Sequence, residues 1–458
     1  MKWRVLLEVT EADGVAVMHE ISAGSRPVPE TSADTIGLTL AEGRSTLAGL
    51  QKHLVRFQAE VFCREQRLCG GCDARRPIKD RRTRRLTTLF GTALIDAPRF
   101  DPCRCGIASR RMISPVTELM PDRCTPEYER VLAKMGALLP YGRAVALIAE
   151  FLPVENAPAI ETARRRTLKV GARLERGLLK TKPPAIPEAK SIAVSVDGGH
   201  VKSIRSYQMR SFEILLADAS NDRGQRQLFS SVAVEADRER QQLETVLRNL
   251  GATPETPTTL LTDGAEGPRS LGEAASPGPT RHVLDWFHLA MRVQHVAQTV
   301  RGWPCAAAGK DRQSGVLLAD MVERVRWRLW HGQVQRALDL TGEILETLGT
   351  SRRGLMDRYA DRLERVLQEL ETYVAGHSDS IINYAAARRS AEPISTATTE
   401  SAVQRLIQRR MNAKQQMRWS PKGAHLMLKV RTAVMNATFE RDHVTAERWA
   451  NRPYRRPA

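Results

Sequence analysis

The sequence predicts a multidomain α/β protein, and three observations favour this fold class. The chain has 458 residues with 42% hydrophobic content, which is enough for several packed domains. Its central region alternates strand-like and helix-like segments, whereas the stretch from about 300 to 377 carries Leu, Arg and Glu at helical spacing. A proline-rich segment, KTKPPAIPEAK, separates the central region from the part before it.

The charge of the chain indicates its class of partner. The formal net charge is +18, and the 70 lysines and arginines are spread along the chain rather than confined to a tail. Such a surface attracts a polyanion, so double-stranded nucleic acid is the expected partner. No apolar run approaches the roughly 20 residues that span a bilayer, and the N-terminus resembles a strand rather than a signal peptide. We therefore expect a cytoplasmic, nucleoid-associated protein without a membrane partner.

Four of the seven cysteines form two close pairs, CGGC and CRC, on either side of an alternating strand pair around LTTLFGTALIDAPRF. Zn²⁺ prefers four tetrahedral ligands, and a glycine-containing CxxC turn lets two sulfurs reach one ion. The pattern predicts a zinc ribbon with a structural Zn²⁺ held by Cys69, Cys72, Cys103 and Cys105. Cys63 or Cys124 is an alternative ligand, and a set of reduced, unliganded thiols is the alternative interpretation.

The next segments predict three consecutive helices, TPEYERVLAKMGALL, GRAVALIAEFL and APAIETARRRTLKVGARLERGLL. A trio of this kind has helix-turn-helix character. Its last helix would present Arg164, Arg165 and Lys169 to a DNA groove. A solvated basic helix face is the alternative interpretation.

After the proline-rich segment, SIAVSVDGG, VKSIRSYQMRSFEILLADA and RQLFSSVAVEA predict an antiparallel meander. ADRERQQLETVLRNLG then predicts a crossover helix, and TTLLTDG a strand beside the first one. This is the order of a ribonuclease H-like core. It would bring Asp197 and Asp263, at the ends of the first and fourth strands, close together, while Glu400 opens a helix-like stretch. Carboxylates held in this way suit two Mg²⁺ ions, or Mn²⁺, in phosphoryl transfer.

The long interval between Asp263 and Glu400 predicts an all-helical insertion in this core. A DNA clamp or dimer contact is one interpretation of the insertion, and a purely structural domain is the other. Beyond Glu400, a basic stretch predicts contacts with the phosphates that flank the reacting one. Its candidate DNA-binding residues are Arg409, Arg410, Lys414, Arg418 and Trp419. The histidines His200, His282, His377 and His425 have no ligand-like spacing and receive no role.

A more specific likeness appears at RHVLDWFHLAMRVQHV. Together with VSVDGGHV, LLTDGAEG and TESAVQRLIQRRMNAKQQMRWSPKGAHLMLKVR, it resembles the transposases of the ISKra-four family of bacterial insertion sequences, which are related to Mutator-like elements. The resemblance extends over nearly the whole chain. It implies that Asp197, Asp263 and Glu400 form a DDE triad and that DWFH corresponds to the C/DxxH signature of the wider group. His288 would then help to position the scissile phosphate or the attacking group.

The resemblance implies a DNA transposase that binds terminal inverted repeats and catalyses two-metal cleavage and strand transfer. Two ends must be joined, so a homodimer or larger synaptic assembly is expected. Two alternatives stay open: a ribonuclease H-like nuclease or resolvase, and a non-catalytic, transposon-derived DNA-binding protein.

These features together predict seven regions. They are an N-terminal strand and helix scaffold (1–62), a zinc-ribbon-like region (63–124), a helix-turn-helix-like region (125–182), the first part of the ribonuclease H-like core (191–300), the helical insertion (301–392), the last part of the core (393–440) and a basic tail (441–458).

Overall fold

The computed structural model of the chain describes most of its residues. The described ranges are 1–10, 14–30, 32–105, 111–154, 157–180, 186–204, 208–232, 236–302, 310–350, 357–395, 406–407, 409–411 and 417–450. The chain is mixed α/β and divides into two compact units, one formed by Met1–Arg173 with Glu440–Ala458 and the other by Leu174–Phe439. The division falls within a helix, upstream of the proline-rich segment where the sequence predicts a boundary.

The strands are β1 (Lys2–Thr10), β2 (Ala16–Ser25), β3 (Ile78–Thr88), β4 (Gly91–Phe100), β5 (Ile192–Lys202), β6 (Ser211–Asn221), β7 (Arg226–Val232), β8 (Thr258–Thr262) and β9 (Thr280–Leu284). The helices are α1 (Leu40–Gln66), α2 (Pro115–Leu119), α3 (Pro126–Leu138), α4 (Tyr141–Phe151), α5 (Ile160–Lys180), α6 (Ala236–Arg248), α7 (Glu266–Ala275), α8 (Trp286–Arg301), α9 (Lys310–Trp330), α10 (Val334–Thr350), α11 (Asp357–Gly376), α12 (Tyr384–Arg389), α13 (Arg409–Met411), α14 (Pro421–Met435) and α15 (Phe439–Ala450). Short 3₁₀ turns cover Val28–Glu30 and Ser378–Ser380.

The first unit contains two antiparallel hairpins, β1–β2 and β3–β4. Helix α1 begins with a capping box in which the Thr39 side chain accepts from the Glu42 amide and the Glu42 carboxylate accepts from the Thr39 amide. The buried face of α1 packs with the inward residues of β3 and β4 in one apolar cluster. Helices α3, α4 and α5 confirm the predicted helix trio. The second strand of the N-terminal hairpin, β2, is not among the sequence predictions.

The second unit is built on a five-stranded sheet of order β7-β6-β5-β8-β9. Strands β7, β6 and β5 are antiparallel neighbours, whereas β5, β8 and β9 run parallel. The predicted meander, crossover helix and following strand are therefore present as β5–β7, α6 and β8. A buried cluster from β5, β6, α6 and α7 fills the space on one face of the sheet.

Within its described residues, the predicted insertion is built of helices α9, α10, α11 and α12 and of short turns. Its apolar faces join the buried side of α8 and the ends of β8 and β9 in one continuous cluster. Because the insertion shares a core with two strands of the sheet, it is packed as part of the second unit. Among the helices of the described ranges, none combines the length and apolar character that a membrane crossing requires.

Candidate active site and cysteine cluster

Three aspartates occupy matching positions in, or directly after, three neighbouring parallel strands. The register pairs Ser195 with Leu261 across β5 and β8, and Leu261 with Val283 across β8 and β9. Two residues further along each strand stand Asp197, Asp263 and Asp285. Since parallel strands place such positions side by side at one edge of a sheet, the fold brings the three acids together.

Asp197 lies within β5 rather than at its end, which corrects the expectation that the strand stops there. Strand β5 continues to Lys202 because β6 still pairs with it, and Asp197 is opposite Leu216. On the other side, the pairing of β5 with β8 ends at Ser195 and Leu261, two residues before Asp197 and Asp263. The Asp197 side chain is half-buried, and its Oδ1 accepts a hydrogen bond from the Gly198 amide at 2.7 Å.

Asp263 is the first residue after β8, and its side chain is also half-buried. Its Oδ1 accepts a hydrogen bond from the Ala265 amide at 2.9 Å, which closes a tight turn. The carboxylate therefore keeps a second oxygen for a ligand. Oxygen donors held by short turns and strands are the ligands that hard divalent cations prefer.

Asp285 and His288 form a fixed pair at the start of α8. Asp285 is fully buried and caps the helix, accepting hydrogen bonds from the amides of Phe287 and His288 at 3.1 and 3.2 Å. Its Oδ2 also lies 2.6 Å from Nδ1 of His288, whose side chain is 25% exposed. Because the carboxylate accepts at Nδ1, the pair orients the ring and leaves Nε2 for another contact.

The charges of this group act on one another. Burial raises the pKa of Asp197; the Gly198 amide and His288 oppose the rise, and the charges of Asp263 and Asp285 add to it. The hydrogen bond that His288 donates to Asp285 raises the pKa of His288; burial opposes this, and the charges of Asp285, Asp197 and Asp263 reinforce it. Carboxylates gathered in this way repel one another, and a bound cation relieves the repulsion.

The third predicted acid, Glu400, lies outside the described residues, and so does Lys414. Within the described ranges, the carboxylates do not form a compact set of three ligands; the group that does so is made of cysteines. The described part of the acidic site therefore consists of Asp197 and Asp263, with Asp285 engaged by His288.

The cysteine cluster is in the first unit, next to the β3–β4 hairpin. The sulfurs of Cys69, Cys72, Cys103 and Cys105 all lie within 4.8 Å of one another. The Cys69–Cys105 and Cys72–Cys103 sulfur pairs are 3.6 and 3.5 Å apart. A tetrahedral Zn²⁺ with Zn–S bonds of about 2.3 Å would place its sulfurs about 3.8 Å apart. The four cysteines can therefore hold a zinc ion.

The two alternative cysteine ligands have other surroundings. Cys63 packs in the apolar cluster between α1 and the β3–β4 hairpin. Cys124 is buried, and its sulfur accepts from Nη1 of Arg166 at 2.6 Å. Burial raises the pKa of the Cys124 thiol to about 12, while Arg166 opposes the rise. Neither residue belongs to the compact cysteine group.

The candidate DNA contacts on α5 differ in their surroundings. Arg164 forms a bidentate ion pair with Glu161, with contacts of 2.8 and 2.7 Å. Lys169 donates to both carboxylate oxygens of Asp122 at 2.6 Å. Arg165 is exposed, and it forms no salt bridge with any residue that the structure describes. Arg165 therefore differs from Arg164 and Lys169, whose charges are paired with carboxylates of the protein.

The C-terminal basic stretch is less exposed than its charge suggests. Arg410 and Trp419 are 1% and 5% exposed, and the Arg410 guanidinium lies 5.3 Å from the centroid of the Trp419 ring. The backbone of Trp419 bonds to Lys202 and Ile204, which fixes it beside the end of β5. Both side chains therefore belong to the core rather than to a DNA surface. Arg418 is exposed; Arg409 is helical, with its side chain outside the described set.

Several functional contacts are not among the sequence predictions. Asp285 was part of a signature but had no role of its own, and only the register of β9 places it beside the other acids. Tyr373 and His377 lie more than a hundred residues from the turn they contact after β8. His282 and His425, expected to have no role, form hydrogen bonds with Thr262 and Glu175. Neither periodicity nor spacing could reveal such distant pairs.

Comparison with known proteins adds little. No family model and no curated protein matches the chain. A solved structure entitled "Crystal structure of NurA" matches at 12% identity over 54% of this chain and 73% of that chain, with a TM-score of 0.12. At this TM-score, the match supports no conclusion about fold or function.

Proposed function

We propose that this chain is a DDE-type DNA transposase of an insertion sequence, similar to the ISKra-four family, with a ribonuclease H-like core. The observation that carries the proposal is the row formed by Asp197 in β5, Asp263 directly after β8 and Asp285 directly after β9. The sheet order, with three antiparallel strands followed by two parallel ones, is the order expected of such a core. The +18 net charge supports a DNA partner.

The acidic residues fit a divalent-cation site. Asp197 and Asp263 provide oxygen donors at neighbouring positions, and the rise in the pKa of Asp197 reflects burial and like charge that a cation would offset. Two Mg²⁺ ions bound there would activate water, and later a 3′-hydroxyl, for in-line attack on a phosphodiester. We propose Glu400 as the third ligand.

The remaining residues bind and orient the DNA or stabilise the fold. His288, fixed through Nδ1 by Asp285, presents Nε2 to a phosphate oxygen, as a donor when the ring is protonated, or to the attacking group, as an acceptor when the ring is neutral. The cysteine cluster holds a structural zinc ion that stabilises the β3–β4 hairpin. The first unit, with this hairpin and the α3–α5 trio, selects inverted repeats on double-stranded DNA. Two copies of the chain join two transposon ends.

The test is a cleavage and strand-transfer assay on oligonucleotides that carry the ends of the element. Asp197→Asn, Asp263→Asn and Glu400→Gln should each lower Mg²⁺-dependent cleavage by at least roughly a thousandfold and leave end binding nearly unchanged, because each removes a charged metal ligand. Asp237→Asn, at an exposed acid on α6 of the same unit, is the matched control and should cleave normally.

The outcomes separate the competing functions. Cleavage without a joined product would favour a ribonuclease H-like nuclease or resolvase. Binding without any metal-dependent cleavage would favour a non-catalytic DNA-binding protein. Normal activity in Glu400→Gln would assign the third ligand to another acid.

A further inference from the structure

The end of helix α11, in the insertion, holds the turn that carries Asp263. The hydroxyl of Tyr373 donates to the main-chain oxygen of Asp263 at 2.6 Å. Nε2 of His377 lies 3.0 Å from the main-chain oxygen of Gly264. Gly264 has a φ of +91°, and a Cβ there would lie 2.4 Å from His377 Nε2. Glycine is thus required both by the backbone conformation and by the approach of the histidine.

The contact matters because Asp263 lies beyond the strand ladder. Strand β8 pairs with β9 only as far as Thr262, opposite Leu284. A carbonyl outside the ladder needs another partner, and the Tyr373 hydroxyl supplies it. The Tyr373 hydroxyl fixes the main chain at Asp263, and the Ala265 amide, which donates to Oδ1 of Asp263 at 2.9 Å, holds the carboxylate on that fixed main chain.

Tyr373 is itself held in place. The Arg292 guanidinium of α8 lies 3.9 Å above the centroid of its ring. Nδ1 of His377 lies 2.8 Å from the Tyr373 main-chain oxygen. A hydroxyl held in place by these contacts is suited to orient a backbone.

Residues of the insertion also form hydrogen bonds with the ends of the neighbouring strands. The hydroxyl of the fully buried Tyr384 donates to the main-chain oxygen of Leu284 at 2.8 Å, one residue before Asp285. The His282 ring bridges Ser380 and Thr262 with contacts of 2.7 and 2.8 Å. The insertion thus bonds to the ends of both β8 and β9.

We propose that Tyr373 is a positioning residue for the divalent-cation site, and that the helical insertion is a structural part of that site through the Tyr373–Asp263 hydrogen bond. The inference rests on the proposed function, because it takes Asp263 as a metal ligand. It goes beyond that function by giving the insertion a defined role at the acidic residues.

The test compares Tyr373→Phe, which removes one hydroxyl, with Tyr359→Phe, at a tyrosine that is 43% exposed on the same helix. Mn²⁺ binding to the full-length, DNA-free protein is measured by electron paramagnetic resonance. Tyr373→Phe should weaken the Mn²⁺ site by about tenfold, as the loss of a residue supporting a metal ligand commonly does. Tyr359→Phe should leave the site unchanged, and Asp263→Asn should remove it.

A second readout distinguishes positioning from general stability. Tyr373→Phe should need about tenfold more Mg²⁺ for half-maximal cleavage, while its DNA affinity stays that of the wild type and excess Mg²⁺ restores the rate. If Tyr373→Phe lowers the urea midpoint of unfolding markedly, Arg292→Leu is the second variant in which Mn²⁺ binding is measured. It leaves the hydroxyl in place but frees the ring, and it should weaken Mn²⁺ binding in the same direction by a smaller factor.

The two proposals fail in different ways. Wild-type Mn²⁺ affinity in both Tyr373→Phe and Arg292→Leu, with the site lost in Asp263→Asn, would overturn the positioning role and leave the proposed function standing. A wild-type protein with no Mn²⁺ site that depends on Asp197 or Asp263 would overturn the proposed function itself.

Discussion

Asp285 and His288 show how much of the candidate site depends on residues that bond to one another rather than to a ligand. Both carboxylate oxygens of Asp285 accept hydrogen bonds, from the first amides of α8 and from the His288 ring. Burying a carboxylate without such partners costs several kcal/mol, so the cap and the ring together make its position tolerable. The sequence placed these two residues on one helix turn. Their position beside Asp197 and Asp263 required the strand register, which local pattern does not determine.

The role of His288 can be separated from its contribution to packing. His288→Ala should slow the cleavage step by roughly a hundredfold, as expected for a lost proton donor or acceptor, with little change in DNA affinity. Single-turnover cleavage and equilibrium binding give the two quantities. His295→Ala, at an exposed histidine on the same helix, should change neither. Equal losses of rate and affinity in His288→Ala would indicate a structural histidine.

Charged residues were the hardest to place from sequence. Lys429 and Arg431 lie in a basic run that resembles a solvated helix face, yet both are buried. Lys429 donates to the Ser230 main-chain oxygen and to Gln242, and Arg431 donates to the Leu406 main-chain oxygen. Their acceptors come from distant segments, and no local pattern reports them. Apolar periodicity, by contrast, is a local property, and it predicted α3, α4, α5 and the insertion helices.

At the scale of elements, one buried polar network connects α14 with the end of α5 and with α6 inside the second unit. Glu175, at the end of α5, accepts from Nε2 of His425 on α14 at 2.6 Å and pairs with Arg238 at 3.0 Å. Lys429 on α14 is buried, and burial lowers its pKa to about 8 against the opposing effect of Glu175. A network of this kind is stabilising only while its members keep complementary charges.

This network predicts a pH-dependent stability. Burial alone would raise the pKa of Glu175, but the hydrogen bond and charge of His425, with Lys429 and Arg238, lower it to about 2. A carboxylate whose pKa falls on folding stabilises the protein fully above its unfolded value of 4.5 and loses that effect as the pH drops toward 2. Glu175→Gln should therefore lower the free energy of unfolding by about 3 kcal/mol at pH 7.

The difference in the free energy of unfolding between Glu175→Gln and the wild type should shrink steadily below pH 4.5. Urea unfolding at a series of pH values measures it. Glu244→Gln, at a surface ion pair with Arg248, is the matched control and should have a much smaller effect. A difference for Glu175→Gln that is the same at pH 3 and at pH 7 would contradict the ion-pair account.

The β3–β4 hairpin gives a prediction about metal content. The purified, reduced protein should carry one zinc ion per chain, and Cys72→Ser should lose it and unfold the hairpin while the second unit stays folded. Elemental analysis and limited proteolysis measure the two effects. Cys63→Ala, at a thiol in the apolar cluster rather than in the cysteine group, should keep the zinc. A zinc-free wild type, or full zinc in Cys72→Ser, would contradict the assignment.

At the scale of the whole molecule, the sequence predicted the order of the elements better than the grouping of the chain into units. The order of strands and helices in the second unit could be predicted because each element has its own hydrophobic periodicity. The sequence did not predict that the two units divide within α5, or that Glu440–Ala458 belongs to the first unit. Such grouping depends on which faces meet after folding, as when Glu440 pairs with Lys134 and Arg130 on α3.

The whole chain also makes the last prediction, because its charge and its proposed specificity respond differently to salt. A chain of net charge +18 should bind any duplex at low ionic strength, since neutralising phosphates releases counterions. Under the proposed function, it should also bind the inverted repeats that flank its coding segment more tightly than scrambled DNA of equal length. Raising the salt concentration should weaken both complexes with a similar slope and leave the preference in place, because base contacts contribute little to counterion release. Fluorescence anisotropy across a salt series measures both slopes. Equal affinity for repeat and scrambled DNA at every salt concentration, with no inverted repeats in the flanks, would replace the transposase proposal with that of a general nuclease.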